Sequence, residues 1–132
     1  MIFGGFDIMT SVLFICHGNI CRSPMAEFVF RDMAAREGLE VEVASAATSA
    51  EEIGNPVYPP VRRLLLSHGL DPAGKRARQL TRADYERWDL IIGMDSANIR
   101  NMERLFGGDP EHKLLRLLDL TLCLRSICLW IL

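Results

Sequence analysis

The amino-acid sequence predicts an α/β fold in three layers, a four-stranded parallel sheet flanked by helices. Three observations predict it. Short runs of β-branched and large apolar residues, with little polar alternation, have the pattern of strands buried on both faces. Between these runs, apolar residues recur at helical spacing. Pro and Gly mark the places where such segments begin and end. Strands that alternate with helices become parallel neighbours, with the crossover helices covering the sheet.

Ser11 to Ile15 reads as the first strand. A helix is expected from about Arg22: Pro24 suits its first turn, Glu27 complements its dipole, and Met25, Phe28, Val29 and Met33 share one face before Gly38 stops it. Glu40 to Ala44 is the second strand, followed by a polar loop through Asn55. After Pro56 and Pro59-Pro60, Val61, Leu64, Leu65 and His68 keep helical spacing up to Gly69. Asp89 to Met94 is the third strand, and Asp95 or Ser96 caps a helix whose Ile99, Met102 and Phe106 face inward before Gly107-Gly108. Leu114 to Leu118 is the fourth strand.

At 132 residues the chain has the length of one domain, given about 150 residues per domain. Its 49% apolar and 24% charged composition is that of a globular protein, which argues against disorder along most of the chain. Fifteen Lys and Arg against seventeen Asp and Glu give a net charge of -2, with no electrostatic footprint for a nucleic-acid backbone. Leu114 to Leu132 is interrupted by Arg116, Asp119 and Arg125, so no membrane span is expected. Met1 to Ile8 lacks a basic start and carries Asp7, unlike a secretory signal, and a cytoplasmic chain with mostly reduced thiols is expected. His68 and His112 are isolated, without Cys or His at ligand spacing, so no metal site is expected.

The chemistry concentrates between the first strand and first helix, in Cys16-His17-Gly18-Asn19-Ile20-Cys21-Arg22-Ser23-Pro24. A loop closing at a helix N-terminus turns several backbone N–H groups inward and, with the dipole, forms an anion cradle. Gly18 and Asn19 can supply the left-handed backbone that the cradle needs. In that field Cys16 is expected as a nucleophilic thiolate. Arg22 can hold two phosphate oxygens in a planar fork, and Ser23 can donate a hydrogen bond to the sulfur. His17, Gly18, Asn19, Ile20 and Cys21 would surround the bound group.

This loop resembles the signature of the low-molecular-weight protein tyrosine phosphatases, C-x5-R-S with Gly and Asn at the third and fourth positions and a following Pro. The resemblance continues through Met25-Ala26-Glu27, Ser45 to Ser49, Ile53-Gly54-Asn55-Pro56, Ala77-Arg78-Gln79, and Met94-Asp95 with Asn98, covering about Val12 to Asp119. It implies hydrolysis of phosphotyrosine, in a protein or a small aryl phosphate, through a cysteinyl-phosphate, with inorganic phosphate as product and no cofactor. It also implies that Cys21 can pair with Cys16 as a redox partner that shields the nucleophile from over-oxidation. Ile20 stands where a protein-arginine phosphatase of this family would have Thr. Glu51 stands near where some members place an aromatic that walls the phenyl ring, and Lys75 where many have His. Lys75-Arg76-Ala77-Arg78 otherwise reads as a solvated basic turn.

The chain departs from the family after the fourth strand, where members carry an Asp-Pro-aromatic loop whose Asp serves as general acid. Asp-Pro occurs here only at Asp71-Pro72 and Asp109-Pro110, both ahead of that strand. Asp119 follows the strand but resembles an acidic residue that some members carry before the catalytic loop, which makes it a weak candidate for the acid. From Leu120 the composition turns to an atypical apolar tail, residues 120–132, in place of the family's closing helix. The tail reads either as truncation by a frameshift or as a short variant whose tail takes that helix's place. Residues 1–10 read as an extension ahead of the usual family start. The expected function is therefore a tyrosine phosphatase impaired by loss of its general acid. The alternatives are a phosphate- or phosphotyrosine-binding module and an arsenate reductase of the same fold with Cys123 or Cys128 as resolving thiols.

Overall fold

The computed structural model describes residues 10–119. The expectations for Met1 to Ile8, for the tail and for Cys123 and Cys128 lie outside the described residues. The elements are β1 (Thr10–Cys16), α1 (Arg22–Arg36), β2 (Val41–Ala47), α2 (Pro59–Ser67), α3 (Asp84–Arg87), β3 (Leu90–Gly93), α4 (Ser96–Phe106) and β4 (Leu114–Arg116), followed by a 3-10 turn at Leu117–Asp119.

The four strands lie in the order β2-β1-β3-β4, and every neighbouring pair is parallel. β1 is central, pairing Thr10–Cys16 with Val41–Ala47 on one side and Val12–Ile15 with Leu90–Gly93 on the other. The chain therefore leaves β1 towards one edge and later crosses to the opposite one. In an open α/β sheet such a reversal opens a crevice at the carboxyl end of the strand, which here is Cys16.

Alternation along β1 feeds two cores. Val12, Phe14 and Cys16 join Met25, Ala26 and Val29 of α1 and Val61 and Leu65 of α2 on one face, with Phe14 edge-on to Phe30 at 5.7 Å. Leu13 and Ile15 join Tyr85 and Trp88, contributed by α3 and the residue after it, and Met102 of α4 on the other. Met25, Phe28, Val29 and Met33 share the inward face of α1 as expected, and Ile99, Met102 and Phe106 that of α4. Asp95 caps α4 reciprocally with Asn98, and Gly107, at φ 78°, ends it in the left-handed conformation. Gly93 allows β3 to meet that helix, since a Cβ there would lie 3.0 Å from the Asn98 Cβ and 3.1 Å from the Met102 Cε.

Three elements differ from expectation. β2 runs on to Ala47, because Ser45 faces inward and finds polar partners. β4 ends at Arg116, and its last expected residues tighten into the 3-10 turn. The one-turn helix α3 carries no run long enough to register as helical periodicity. Its role is to bury Asp84, whose carboxylate accepts from both terminal nitrogens of Arg78 at 3.1 and 3.0 Å, from the Thr81 N–H at 2.8 Å and from the Trp88 indole at 3.2 Å.

Burial pushes the Asp84 carboxyl up, but the Arg78 side chain, the Thr81 N–H, the Arg78 charge and the Trp88 indole together hold it below its ordinary value. A carboxyl depressed by folding stabilises fully above its unfolded value of about 3.9, and that contribution is lost as pH falls through the lower folded value. Asp84→Ala is expected to cost about 2 kcal/mol, because it strands the buried Trp88 indole N–H as well as the part-buried Thr81 N–H and the partly exposed Arg78. Urea unfolding at pH 7 and pH 3 measures this: the difference between Asp84→Ala and the parent should shrink at pH 3, and a pH-independent difference would rule out the ionised carboxylate as its source.

Candidate active site

Cys16 is the last residue of β1 and is 3% exposed. The chain then turns through His17 to Cys21 and enters α1 at Arg22, so the helix N-terminus faces back toward the sulfur. Asn19, at φ 61°, is the one residue of this turn in the left-handed region. Gly18, expected to share that role, does not adopt it; the Glu52 side chain packs on it, its Cγ 3.3 Å from where a Cβ would stand. The result is a convergence of donors on Cys16 Sγ: the Asn19 N–H at 3.3 Å, the Ser23 N–H at 3.4 Å and the Ser23 hydroxyl at 3.0 Å.

The direction of the Ser23 bond follows from its neighbour. Asn19 Nδ2 donates to Ser23 Oγ at 2.8 Å, so that oxygen is an acceptor there and its own proton is free to point at the sulfur. Asn19 Nδ2 also donates to Ser45 Oγ at 2.9 Å, and its Oδ1 accepts from the Arg78 N–H at 3.1 Å. Ser45 in turn donates to Glu27 Oε1 at 2.5 Å. Asn19 and Ser23 are at most 1% exposed, so their rotamers are held by packing as well as by these bonds.

Glu27 does not serve the helix dipole as expected. It is 5% exposed and lies behind the loop, accepting from Ser45, from Arg31 at 2.6 Å, and meeting Lys75 Nζ at 3.4 Å. Lys75 also donates to the Ser45 carbonyl at 3.0 Å, and Arg78 grips Asp84, so the expected solvated turn is instead an anchored one. Burial pulls the Lys75 ammonium down, and the Glu27 carboxylate restores part of that loss. Ser45, Glu27 and Lys75 were not expected as parts of the site. Their signal in the sequence is weak, because the partners stand 18 and 48 residues apart.

Arg22 opens α1, and its Nη1 donates to Asp95 Oδ2 at 3.0 Å. Asp95 was expected only as a cap; it holds that role through Oδ1 while Oδ2 accepts from the arginine. Burial pushes the Asp95 carboxyl up, but the Asn98 N–H and Arg22, first by hydrogen bond and then by charge, keep it below its ordinary value, helped by the Ala97 N–H. His17 is exposed and its Nε2 meets the Glu51 carboxylate. The Ile20 carbonyl accepts from the Tyr58 N–H at 2.8 Å. Cys21 is half-buried, and neither it nor Cys16 is in a disulfide. Burial, then the neighbouring Cys16, raise its thiol, against a smaller opposing effect of Arg22. Asp119 is exposed and accepts from Arg116 Nε and Nη2 at 3.2 and 2.9 Å, which holds its carboxyl below the ordinary range. Among the described residues no helix is long and apolar enough to cross a membrane.

A thiol ending an inner strand of a four-stranded parallel sheet, met by two backbone N–H groups and a serine hydroxyl at the N-terminus of the following helix, defines an α/β protein with a cysteine-centred loop at the carboxyl end of its sheet. Residues 11–124 match the family model described as low molecular weight phosphotyrosine protein phosphatase, and the chain belongs to that family. It is 43% identical over 113 residues to the low molecular weight protein-tyrosine-phosphatase YfkJ of Bacillus subtilis, covering 84% of this chain and 72% of that one. It is 45% identical over 96 residues to the human low molecular weight phosphotyrosine protein phosphatase, which covers 71% of this chain but only 60% of the human protein. The crystal structure of YfkJ from Bacillus subtilis superposes with a TM-score of 0.83 at 37% identity, covering 93% of this chain and 87% of that one.

Proposed function

We propose that this chain is a phosphotyrosine phosphatase that works through a cysteinyl-phosphate and is limited by a weak general-acid step. The observation that carries the reading is the convergence of two backbone N–H groups and the Ser23 hydroxyl on Cys16 Sγ, at the N-terminus of α1. In the first step the sulfur attacks phosphorus, an S–P bond forms and the bond to the aryl oxygen breaks. Arg22 clamps two of the phosphoryl oxygens through this loose transition state. In the second step water attacks phosphorus and the S–P bond breaks. The three donors then hold the charge returned to sulfur, as donors placed where charge develops do. Cys21, half-buried within the same loop, is assigned the redox role that the family resemblance implies.

The limit on turnover follows from the carboxylates. Asp95 and Asp119 are each bound to an arginine and held below the ordinary carboxylate range. Neither is set to give a proton to a leaving phenolate near neutral pH. A leaving group that departs as a stable anion should therefore be favoured. With Cys16→Ser as the blank, p-nitrophenyl phosphate is expected to be hydrolysed at least about a hundredfold faster than phenyl phosphate. Comparable rates for the two esters would show that another residue supplies the proton. An absence of Cys16-dependent turnover in folded protein would leave the loop as a phosphate-binding module.

A further inference from the structure

Arg78 joins the back of the nucleophile loop to a buried carboxylate that touches none of the reacting groups. Its N–H donates to Asn19 Oδ1 at 3.1 Å. Its carbonyl accepts at 2.8 Å from the N–H of Ala47, the β2 residue beside Cys16 in the sheet. Its guanidinium donates through both terminal nitrogens to Asp84. Asp84 is 6% exposed and is itself held by the Thr81 N–H and by the indole of Trp88, which belongs to the core under Leu13 and Ile15. A continuous set of bonds therefore runs from that core through Asp84 and Arg78 to Asn19.

Both hydrogens of the Asn19 amide are committed, one to Ser23 Oγ and one to Ser45 Oγ, and its oxygen has the Arg78 N–H. That last bond helps to decide which end of the amide faces Ser23. With Nδ2 on that side, the Ser23 proton is left for Cys16 Sγ; were Oδ1 to swing there, the hydroxyl would donate to it and leave the sulfur. Such support matters in a reacting site, where a misplacement of about 1 Å can cost about a hundredfold. We propose that Asp84 is a positioning residue: through its ion pair with Arg78 it holds the Asn19 amide and so directs the Ser23 hydroxyl onto the Cys16 sulfur. The inference rests on the cysteinyl-phosphate reading and deepens it. The hydroxyl counts most when the S–P bond breaks and charge returns to sulfur. For p-nitrophenyl phosphate, whose leaving group departs unaided, that step limits kcat, whereas kcat/KM reports the first step.

Asp84→Asn gives up the charge and the paired grip on Arg78. It is expected to lower kcat for p-nitrophenyl phosphate about tenfold and KM in parallel, leaving kcat/KM within about threefold. In a Ser23→Ala background the same substitution should lower kcat less than about twofold, although it lowers Tm in both backgrounds. Arg78→Met alters a partly exposed side chain and leaves Asp84 its Thr81 and Trp88 donors, and it should reproduce the split between kcat and kcat/KM. Equal losses of kcat with and without the Ser23 hydroxyl, or a fall in kcat/KM that matches the fall in kcat, would overturn the proposal. Hydrogen exchange of the Asn19 Nδ2 protons, followed by NMR, separates this inference from the phosphatase reading. Asp84→Asn should speed that exchange at least about tenfold while the backbone N–H groups of β1 keep their protection. The same result in a chain without Cys16-dependent turnover would keep the positioning and remove the enzyme. Unchanged exchange would remove the positioning whatever the turnover.

Discussion

Cys16→Ser is expected to lower kcat/KM for p-nitrophenyl phosphate by at least about 10^4-fold, the scale on which removal of an enzyme's nucleophile is felt. Inorganic phosphate binding should stay within about tenfold, because it depends on groups the substitution leaves in place. The reason lies in how the loop divides its work. The Asn19 and Ser23 N–H groups and the start of α1 form a cradle whose geometry is set by the left-handed Asn19 and by buried side chains behind it, not by the sulfur. A serine oxygen fits the same space but is a poor nucleophile without an adjacent base. Steady-state kinetics and calorimetric titration with phosphate give the two numbers. Residual turnover within about a hundredfold of the parent would mean that Cys16 is not the attacking atom.

The parts of the fold that were legible in the sequence are those whose signal is local. β1 announces itself as an uninterrupted apolar run, and α4 by its cap, inward stripe and glycine stop, all within a few residues of one another. The loop between β1 and α1 was legible as a loop for the same reason: Cys16, Asn19, Arg22 and Ser23 sit within eight residues, and the strand and helix on either side fix their relation. What failed was polar residues with distant partners. Ser45 looked like the start of a loop, yet it extends β2 because Asn19 and Glu27 satisfy its hydroxyl inside the core. Glu27 looked like a surface acid near a helix start, and Lys75 and Arg78 like a solvated turn. Each is paired with a group that only the fold brings near.

The departures from expectation share a physical cause. A buried charge is tolerated only when it is paired and hydrogen-bonded, and a sequence does not display the pairing. The chain Cys16, Ser23, Asn19, Ser45, Glu27, Lys75 therefore reads as scattered polar residues until the sheet order places β2 beside β1 and α1 beside both. Gly18 is the opposite case. It was singled out for a backbone conformation it does not adopt; what distinguishes its place is the Glu52 side chain packed against it.

Arg22→Lys is expected to lower kcat by about 10^3-fold, comparable to the loss of an arginine that stabilises a phosphoryl-transfer transition state. Lysine keeps the charge but loses the planar fork, which matches two equatorial oxygens at once. Asp95 sharpens the prediction because it is placed to aim that fork, through Arg22 Nη1, rather than to touch the phosphoryl group. Asp95→Asn keeps an oxygen to accept from the Asn98 N–H, so α4 stays capped, while the charged partner of Arg22 is lost. It should cost about tenfold in kcat with little change in stability. The decisive comparison is the double variant: if Asp95 acts through Arg22, Asp95→Asn should add almost nothing in the Arg22→Lys background, a coupling of about 1.4 kcal/mol. Additive losses would mean that Asp95 reaches the reaction by a route of its own.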